Sequence, residues 1–150
     1  MVAARWKPNV TVAAVAERDG RFLIVEERTP AGLMINQPAG HLEDGETLIE
    51  AVCREALEET ACAFRPESLV GIYQWHDRAG GRTFLRFAFC GSASAPDPAR
   101  ALDHGIERAV WMTRDEIAAA TPRYRSPWVL ACVDDYLSGR RLGLECLRWT

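Results

Sequence analysis

Seven acids crowd into residues 43–59 of this chain, Glu43, Asp44, Glu46, Glu50, Glu55, Glu58 and Glu59, with Arg54 as the one base among them. Carboxylates at such density cage a hard cation, move protons, or simply solvate a helix face. Spacing narrows the choice. On a helical wheel of about 100° per residue with Arg54 at the origin, Glu58 falls near ~40°, Glu55 near ~100° and Glu59 near ~140°. Ala56, Ile49, Thr60, Cys53 and Leu57 fall between ~200° and ~300°. The wheel predicts three carboxylates on one face and core on the opposite one. Like charges so close weaken an isolated helix, and a divalent cation relieves that repulsion. No His or Cys shares the spacing, so the donors are hard oxygens that favour Mg²⁺ or Mn²⁺ over zinc. A solvated acidic face fits the angles equally well; the surrounding residues must choose between the two.

The cluster also governs the charge balance. The 150 residues carry a formal net charge of −3, of which the window 43–59 contributes −6 and the rest +3. So mild a total argues against a nucleic-acid-binding stripe and against a disordered acidic tail. A hydrophobic content of 48% suffices for one domain with its own core. No two of Cys53, Cys62, Cys90, Cys132 and Cys146 stand at metal-finger spacing, and an odd number cannot all pair within the chain. Free thiols in a reducing cytoplasm are expected. Arg5 and Lys7 before the apolar run 10–16 imitate a secretory leader. The run is short, Pro8 and Asn9 interrupt its approach, and β-branched residues alternate along it, so a strand is the better reading. No stretch approaches membrane-spanning length.

The elements that must position the acids follow from turns and caps. Residues 10–16 and 22–26 read as strands of a hairpin around Asp19-Gly20. A loop with Thr29-Pro30 and Gly32 follows, and residues 37–42 read as mostly irregular. Thr47 with Glu50 forms a capping-box pattern that opens a helix running to about Ala61. Residues 72–75 and 83–90 read as strands around Ala79-Gly80-Gly81, residues 93–98 as a loop, and 109–112 as another strand. Thr113 with Glu116 is a second capping box, opening a short helix that ends before Pro122. Ser126 caps a last helix, with Pro127 at its first position and Gly139 beyond its end. Without repeats or a dividing linker, the expectation is one mixed α+β domain over residues 1–150.

From Gly40 the chain reads glycine, five residues, Glu46, seven residues, then Arg54-Glu55-Ala56-Leu57-Glu58-Glu59-Thr60-Ala61-Cys62. This resembles the Nudix box, G-x5-E-x7-R-E-U-x-E-E-x-G-U with U bulky and apolar, over residues 40–62. Six of its seven fixed residues are present. Ala61 replaces the last glycine, at a helix end where a left-handed backbone is often wanted, at a cost of about 1 kcal/mol and no lost ligand. Ala56 is smaller than the usual apolar residue. Outside the box, the run from Asn36 to Glu43, Gln74-Trp75, Leu85-Arg86-Phe87 and Arg125-Ser126-Pro127 resemble the phosphatase NudJ branch of the family. That branch is described as hydrolysing nucleoside di- and triphosphates and hydroxymethylpyrimidine pyrophosphate. The family's fold is a mixed β-sheet sandwiched between α-helices.

The resemblance implies a Mg²⁺-dependent phosphohydrolase, with Mn²⁺ as the alternative ion. Glu55, Glu58, Glu59 and the Gly40 carbonyl become the metal ligands. Arg54 would orient Glu55 or Glu59, and Glu46 would hold Arg54. Family members take their general base from a helix glutamate or a later loop acid; here the loop candidates are Asp97, Asp103 and Glu107, with Glu107 favoured for its place just before the strand 109–112. Trp75 is a candidate to stack on a heterocyclic base and Gln74 to bond its edge. Arg86 and Arg125 are candidates for phosphate, as is Arg123, while His41 is expected to make only a local backbone bond. The expected partner is a small nucleotide or pyrophosphate, with no nucleic acid and no membrane; monomer and homodimer both stay open. The alternative activities are hydrolysis of a nucleoside diphosphate linked to another group, such as ADP-ribose, and nucleotide binding without catalysis.

Overall fold

The computed structural model describes residues 3–150. Strands β1 (Asn9–Arg18) and β2 (Arg21–Thr29) form the hairpin that Asp19-Gly20 calls for. Both turn residues have positive φ, 52° and 76°, which matches the twist of the flanking strands. The run 10–16 lies wholly within β1. Along it the side chains alternate: Ala13 and Val15 join one core, and Val12, Ala14 and Ala16 join another. A strand buried on both faces must be central to its sheet.

β1 runs parallel to β6 (Arg82–Ala93) and antiparallel to the short β4 (Ala39–His41). β6 pairs antiparallel with β5 (Phe64–Asp77), whose far edge is covered by β8 (Leu142–Gly143). β2 pairs antiparallel with β3 (Gly32–Asn36) and with β7 (Ile106–Thr113). Helix α1 (Leu48–Thr60) packs Ala51, Val52 and Ala56 against one face of β1. Helices α2 (Arg114–Ala119) and α3 (Trp128–Leu137) bring Ile117, Trp128, Val129, Cys132 and Val133 to the other. The mixed sheet therefore lies between helices, as expected.

Local signals predicted the helix ends well. Thr47 closes a full capping box with Glu50, and Ala61 ends α1 in the left-handed region at φ 59°. Thr113 and Glu116 do the same for α2. The Ser126 hydroxyl accepts from the Trp128 N–H at 3.3 Å, but Pro127 rather than Ser126 is the N-cap of α3, and Trp128 is its first residue. Gly139 follows α3 with φ 85°.

Four extended segments differ from expectation. Residues 32–36 form β3 rather than a loop, and residues 39–41 form β4 within the stretch read as irregular. A three-residue strand is too short to show a period; β4 is made by pairing, with Thr11, Val12 and Ala13 opposite it. β5 begins at Phe64 rather than near 72, because bulges at Pro66/Ser68 and Leu69/Gly71 break its alternation. β8 was not foreseen either. All five cysteines are free thiols, and among the described residues no helix is long and apolar enough to cross a membrane.

Candidate active site

Of the acids of α1, Glu50 is exposed and Glu58 and Glu59 are half-buried, but Glu55 is turned away from water. Glu55 is 9% exposed and is buried along with Val52 and Ala56, so the carboxylate face merges with the core face instead of opposing it. The wheel gave relative angles correctly but could not know that β4 lies over this side of α1. β4 comes so close that a Cβ on Gly40 would overlap the Glu55 carboxylate, and only glycine permits that approach. Gly40→Ala is therefore expected to displace Glu55 and weaken Mg²⁺ binding by about 10–100-fold, comparable with losing a group that orients a ligand. Mg²⁺ titration by calorimetry checks this, and unchanged affinity would contradict it.

Arg54 is the hub of the cluster. Its Nη1 donates to Glu55 Oε1 at 2.8 Å and to Glu58 Oε2 at 3.1 Å, and its Nη2 donates to the His41 carbonyl at 3.0 Å and to Glu46 Oε2 at 3.1 Å. Its Nε also donates to Glu46. A rigid five-donor fork can serve this many acceptors, and a lysine could not. Glu59 stands outside the hub: it accepts from the Ala39 N–H of β4 at 2.9 Å. Arg54 thus orients Glu55 and Glu58, not Glu59. Among the described residues no three acid, His or Cys side chains already form a closed cage.

Electrostatics sets the carboxylates in two groups. The Arg54 hydrogen bond holds Glu46 below the usual carboxylate range. Burial pushes Glu55 up, with Arg54 opposing, and pushes Glu59 up to about 8, with the Ala39 N–H opposing. Enclosed carboxylates at this density gain from a divalent cation, and an all-oxygen donor set fits Mg²⁺ or Mn²⁺. The raised value of Glu59 favours the folded cation-free protein fully below the ordinary carboxylate range, and that contribution is lost as pH rises through about 8. Cation-free protein is expected to melt lower at pH 9 than at pH 6, and the gain from Mg²⁺ to be larger at pH 9. Glu59→Gln should flatten both trends in thermal melts; an equal Mg²⁺ gain at both pH values would contradict the assignment.

These acids line one wall of a cavity of about 540 Å³, with Glu43 and Asp103 beside them. Its other walls carry Trp75, Phe84, Arg86, Arg125, Trp128, Asn36 and Ser126. Trp75 stacks on Phe84 with centroids 5.6 Å apart and meets Trp128 edge-on at 5.9 Å. Arg86 is buried on β6, and Arg125 pairs with Glu27 at 2.9 Å at the cavity's rim.

Several candidates lie elsewhere. Gln74 does not line the cavity and is exposed, because neighbours on a strand point to opposite faces and Trp75 takes the inner one. Glu107 pairs with Arg28 at 2.7 Å and does not line the cavity either. Of the loop acids it is Asp103 that faces the site, in a turn anchored where its N–H donates to the Glu58 carbonyl at 2.8 Å. Asp97 is not on the wall. Arg123 is spent on Glu26 at 2.8 Å and on the Leu33 carbonyl at 3.0 Å. His41 lines the cavity, with its carbonyl bound to Arg54. Asn36, Phe84 and Trp128 went unassigned in the sequence. So did Gln37, only 1% exposed, whose signal was its place in the run from Asn36 to Glu43 that carries part of the resemblance, with no role attached to it.

Comparison with known proteins places the chain in a family. Residues 5–131 match the family model of the NUDIX domain. Over 143 residues the chain is 41% identical to phosphatase NudJ of Escherichia coli strain K12, covering 95% of this chain and 92% of that protein. A solved NUDIX hydrolase from Nitrosomonas europaea is 50% identical, with a TM-score of 0.93 over 96% of this chain and 98% of that one. A bifunctional NMN adenylyltransferase/ADP ribose pyrophosphatase from Francisella tularensis, complexed with AMP and a Mn ion, shares the fold. It is 22% identical with a TM-score of 0.66, over 91% of this chain and 43% of that one. The chain belongs to the Nudix hydrolase family. It is a hydrolase, similar to phosphatase NudJ, of a family that acts on small nucleotide substrates and generally uses divalent metals.

Proposed function

We propose that this protein is a Mg²⁺-dependent phosphohydrolase of nucleoside tri- and diphosphates and of hydroxymethylpyrimidine pyrophosphate, releasing orthophosphate. The observation that carries the reading is a cavity with Glu55, Glu58 and Glu59 on one wall and Arg86 and Arg125 with an aromatic patch on the others. A cation held by the acid wall would offset the charge of the substrate's phosphates, and a planar ring would pack against Trp75 and Trp128, so that one ligand would satisfy both walls.

Gly40, Glu55, Glu58 and Glu59 would hold Mg²⁺, with Mn²⁺ able to replace it. When bound, the cation supplies Lewis-acid polarisation and neutralises charge on the phosphoryl oxygens. The chain's own groups do the rest. Arg54, gripped by Glu46, fixes the directions of Glu55 and Glu58. Asp103, in place of Glu107, takes the proton of the water that attacks phosphorus as the anhydride P–O bond breaks. Arg86 and Arg125 offset the charge of the phosphates. The free thiols support a reducing, cytoplasmic setting, and residues 1–150 act as one catalytic domain, as monomer or homodimer.

Purified protein with Mg²⁺ and a panel of nucleoside di- and triphosphates, hydroxymethylpyrimidine pyrophosphate and ADP-ribose tests this. Orthophosphate release from the first three classes is expected. AMP and a sugar phosphate from ADP-ribose alone would favour the linked-diphosphate activity, and binding without turnover of any member would overturn the hydrolase reading.

A further inference from the structure

The cavity's cationic wall contains an unusual charge arrangement. Arg86 is 4% exposed, yet among the described residues no carboxylate lies within ion-pair distance of it; the nearest partners are neutral. Its Nη1 donates to Gln37 Oε1 and its Nη2 to Asn36 Oδ1, each at 3.2 Å, and the guanidinium lies 5.1 Å from the Trp128 ring centroid. Its buried Nε has no partner. A desolvated charge normally demands a counter-charge, and this fold supplies one to its buried carboxylate on another strand. On the β2 side of the sheet, Glu26, 5% exposed, pairs with both Arg108 and Arg123.

Gln37 explains how Arg86 is held without being neutralised. Its Nε2 donates to the Val129 carbonyl of α3 at 2.7 Å. A carbonyl can only accept, so the amide cannot flip, and its oxygen must face Arg86. Gln37 thereby ties the β3–β4 junction, α3 and Arg86 into one rigid unit. A glutamate has nearly the same shape and would form an ion pair with Arg86; the amide orients the guanidinium and leaves its charge unspent.

Resting on the phosphoanhydride reading above, we propose that Gln37 is a positioning residue that presents Arg86, uncompensated, to an anionic phosphoryl group of the substrate. Asn36 is its neutral counterpart on the cavity side. The cavity then carries two charge demands, a cation on the α1 wall and an anion beside Arg86, and a neutral ring alone meets neither. The bound group next to Arg86 is a phosphate, and the heterocycle sits against the aromatic residues.

The test is Gln37→Glu, which keeps the volume and supplies the missing counter-charge. With Mg²⁺ and imidodiphosphate, a non-hydrolysable pyrophosphate analogue, calorimetry is expected to show at least about a tenfold rise in Kd. KM should rise in parallel, with kcat within about threefold; the melting temperature reads two opposed changes, the ion pair gained with Arg86 and the donor lost from the Val129 carbonyl. In an Arg86→Gln background the same substitution should add nothing, as a double-mutant cycle requires for groups that act through each other. If Gln37→Glu fails to fold, Asn36→Asp places a carboxylate at Nη2 from the cavity side, with the same rise expected. Unchanged Kd and KM in a folded variant would overturn the proposal, as would a fall in kcat alone or a persisting effect without Arg86. Wild-type protein that turns over nothing but binds imidodiphosphate in a Gln37-dependent way would sink the hydrolase reading and leave this inference standing. No binding by wild type would sink the inference as well.

Discussion

Glu58→Gln is expected to lower Mg²⁺-dependent turnover by about 10³-fold while leaving the melting temperature nearly unchanged. Glu58 lines the cavity, and one of its oxygens accepts from Arg54 at 3.1 Å. A glutamine oxygen can keep that hydrogen bond, so α1 and its hub lose little. The side chain's formal charge is what disappears. If the cation contributes several kcal/mol of charge stabilisation at the reacting phosphate, loss of about 4 kcal/mol of it corresponds to ~10³ in rate. Turnover at saturating Mg²⁺, beside thermal melts of both proteins, reads the two effects separately. Full activity in the variant would contradict a ligand role for Glu58.

Arg54→Met is expected to damage both stability and catalysis. The substitution keeps the aliphatic bulk but strands Glu46, Glu55 and Glu58 and the His41 carbonyl, all of which Arg54 serves. Breaking a fully buried pair costs about 3–5 kcal/mol. Here the Arg54 side chain is 22% exposed, and water offsets part of the loss, so about 2 kcal/mol is the expected penalty. That lowers the melting temperature by about 4–8 °C in a chain of this size. The pH dependence is diagnostic. Glu46 is held below its ordinary range by Arg54, so its contribution is present above that range and lost as pH falls through the depressed value. Wild type and variant should therefore differ most near neutrality and converge in acid. Turnover should fall about 10–100-fold, as for other groups that orient a ligand. A constant stability gap from pH 3 to 8 would contradict the hub role of Glu46 and Arg54.

Much of the site was legible because it is local. The spacing from Gly40 to Cys62 pointed to the Nudix family without any coordinates, and the angles placed Arg54 next to Glu58 one turn on. Thr47 and Glu50 marked where α1 starts, and Ala61 stands in the left-handed position where the family's glycine was missed. Hydrogen bonds that close within three or four residues are encoded in those same residues.

What lay beyond the sequence was which distant segments close over that helix. The carboxylate face was expected to oppose the core; instead β4, itself made only by pairing with β1, turns Glu55 and Glu59 inward. Trp75 and Gln74 were grouped as neighbours, yet strand alternation sends them to opposite faces. Glu107 was favoured over Asp103 by its place in the chain, and a pair with Arg28 holds it away from the site. Gln37 acquires meaning only beside Val129 and Arg86, 92 and 49 residues away. The sequence by itself therefore determined the family, the acidic helix with its caps, and the hard-oxygen chemistry. The tertiary structure alone decided the burial of the carboxylates, the loop acid that faces them and the unpaired cation across the cavity, because those depend on contacts that no short-range periodicity or capping rule encodes.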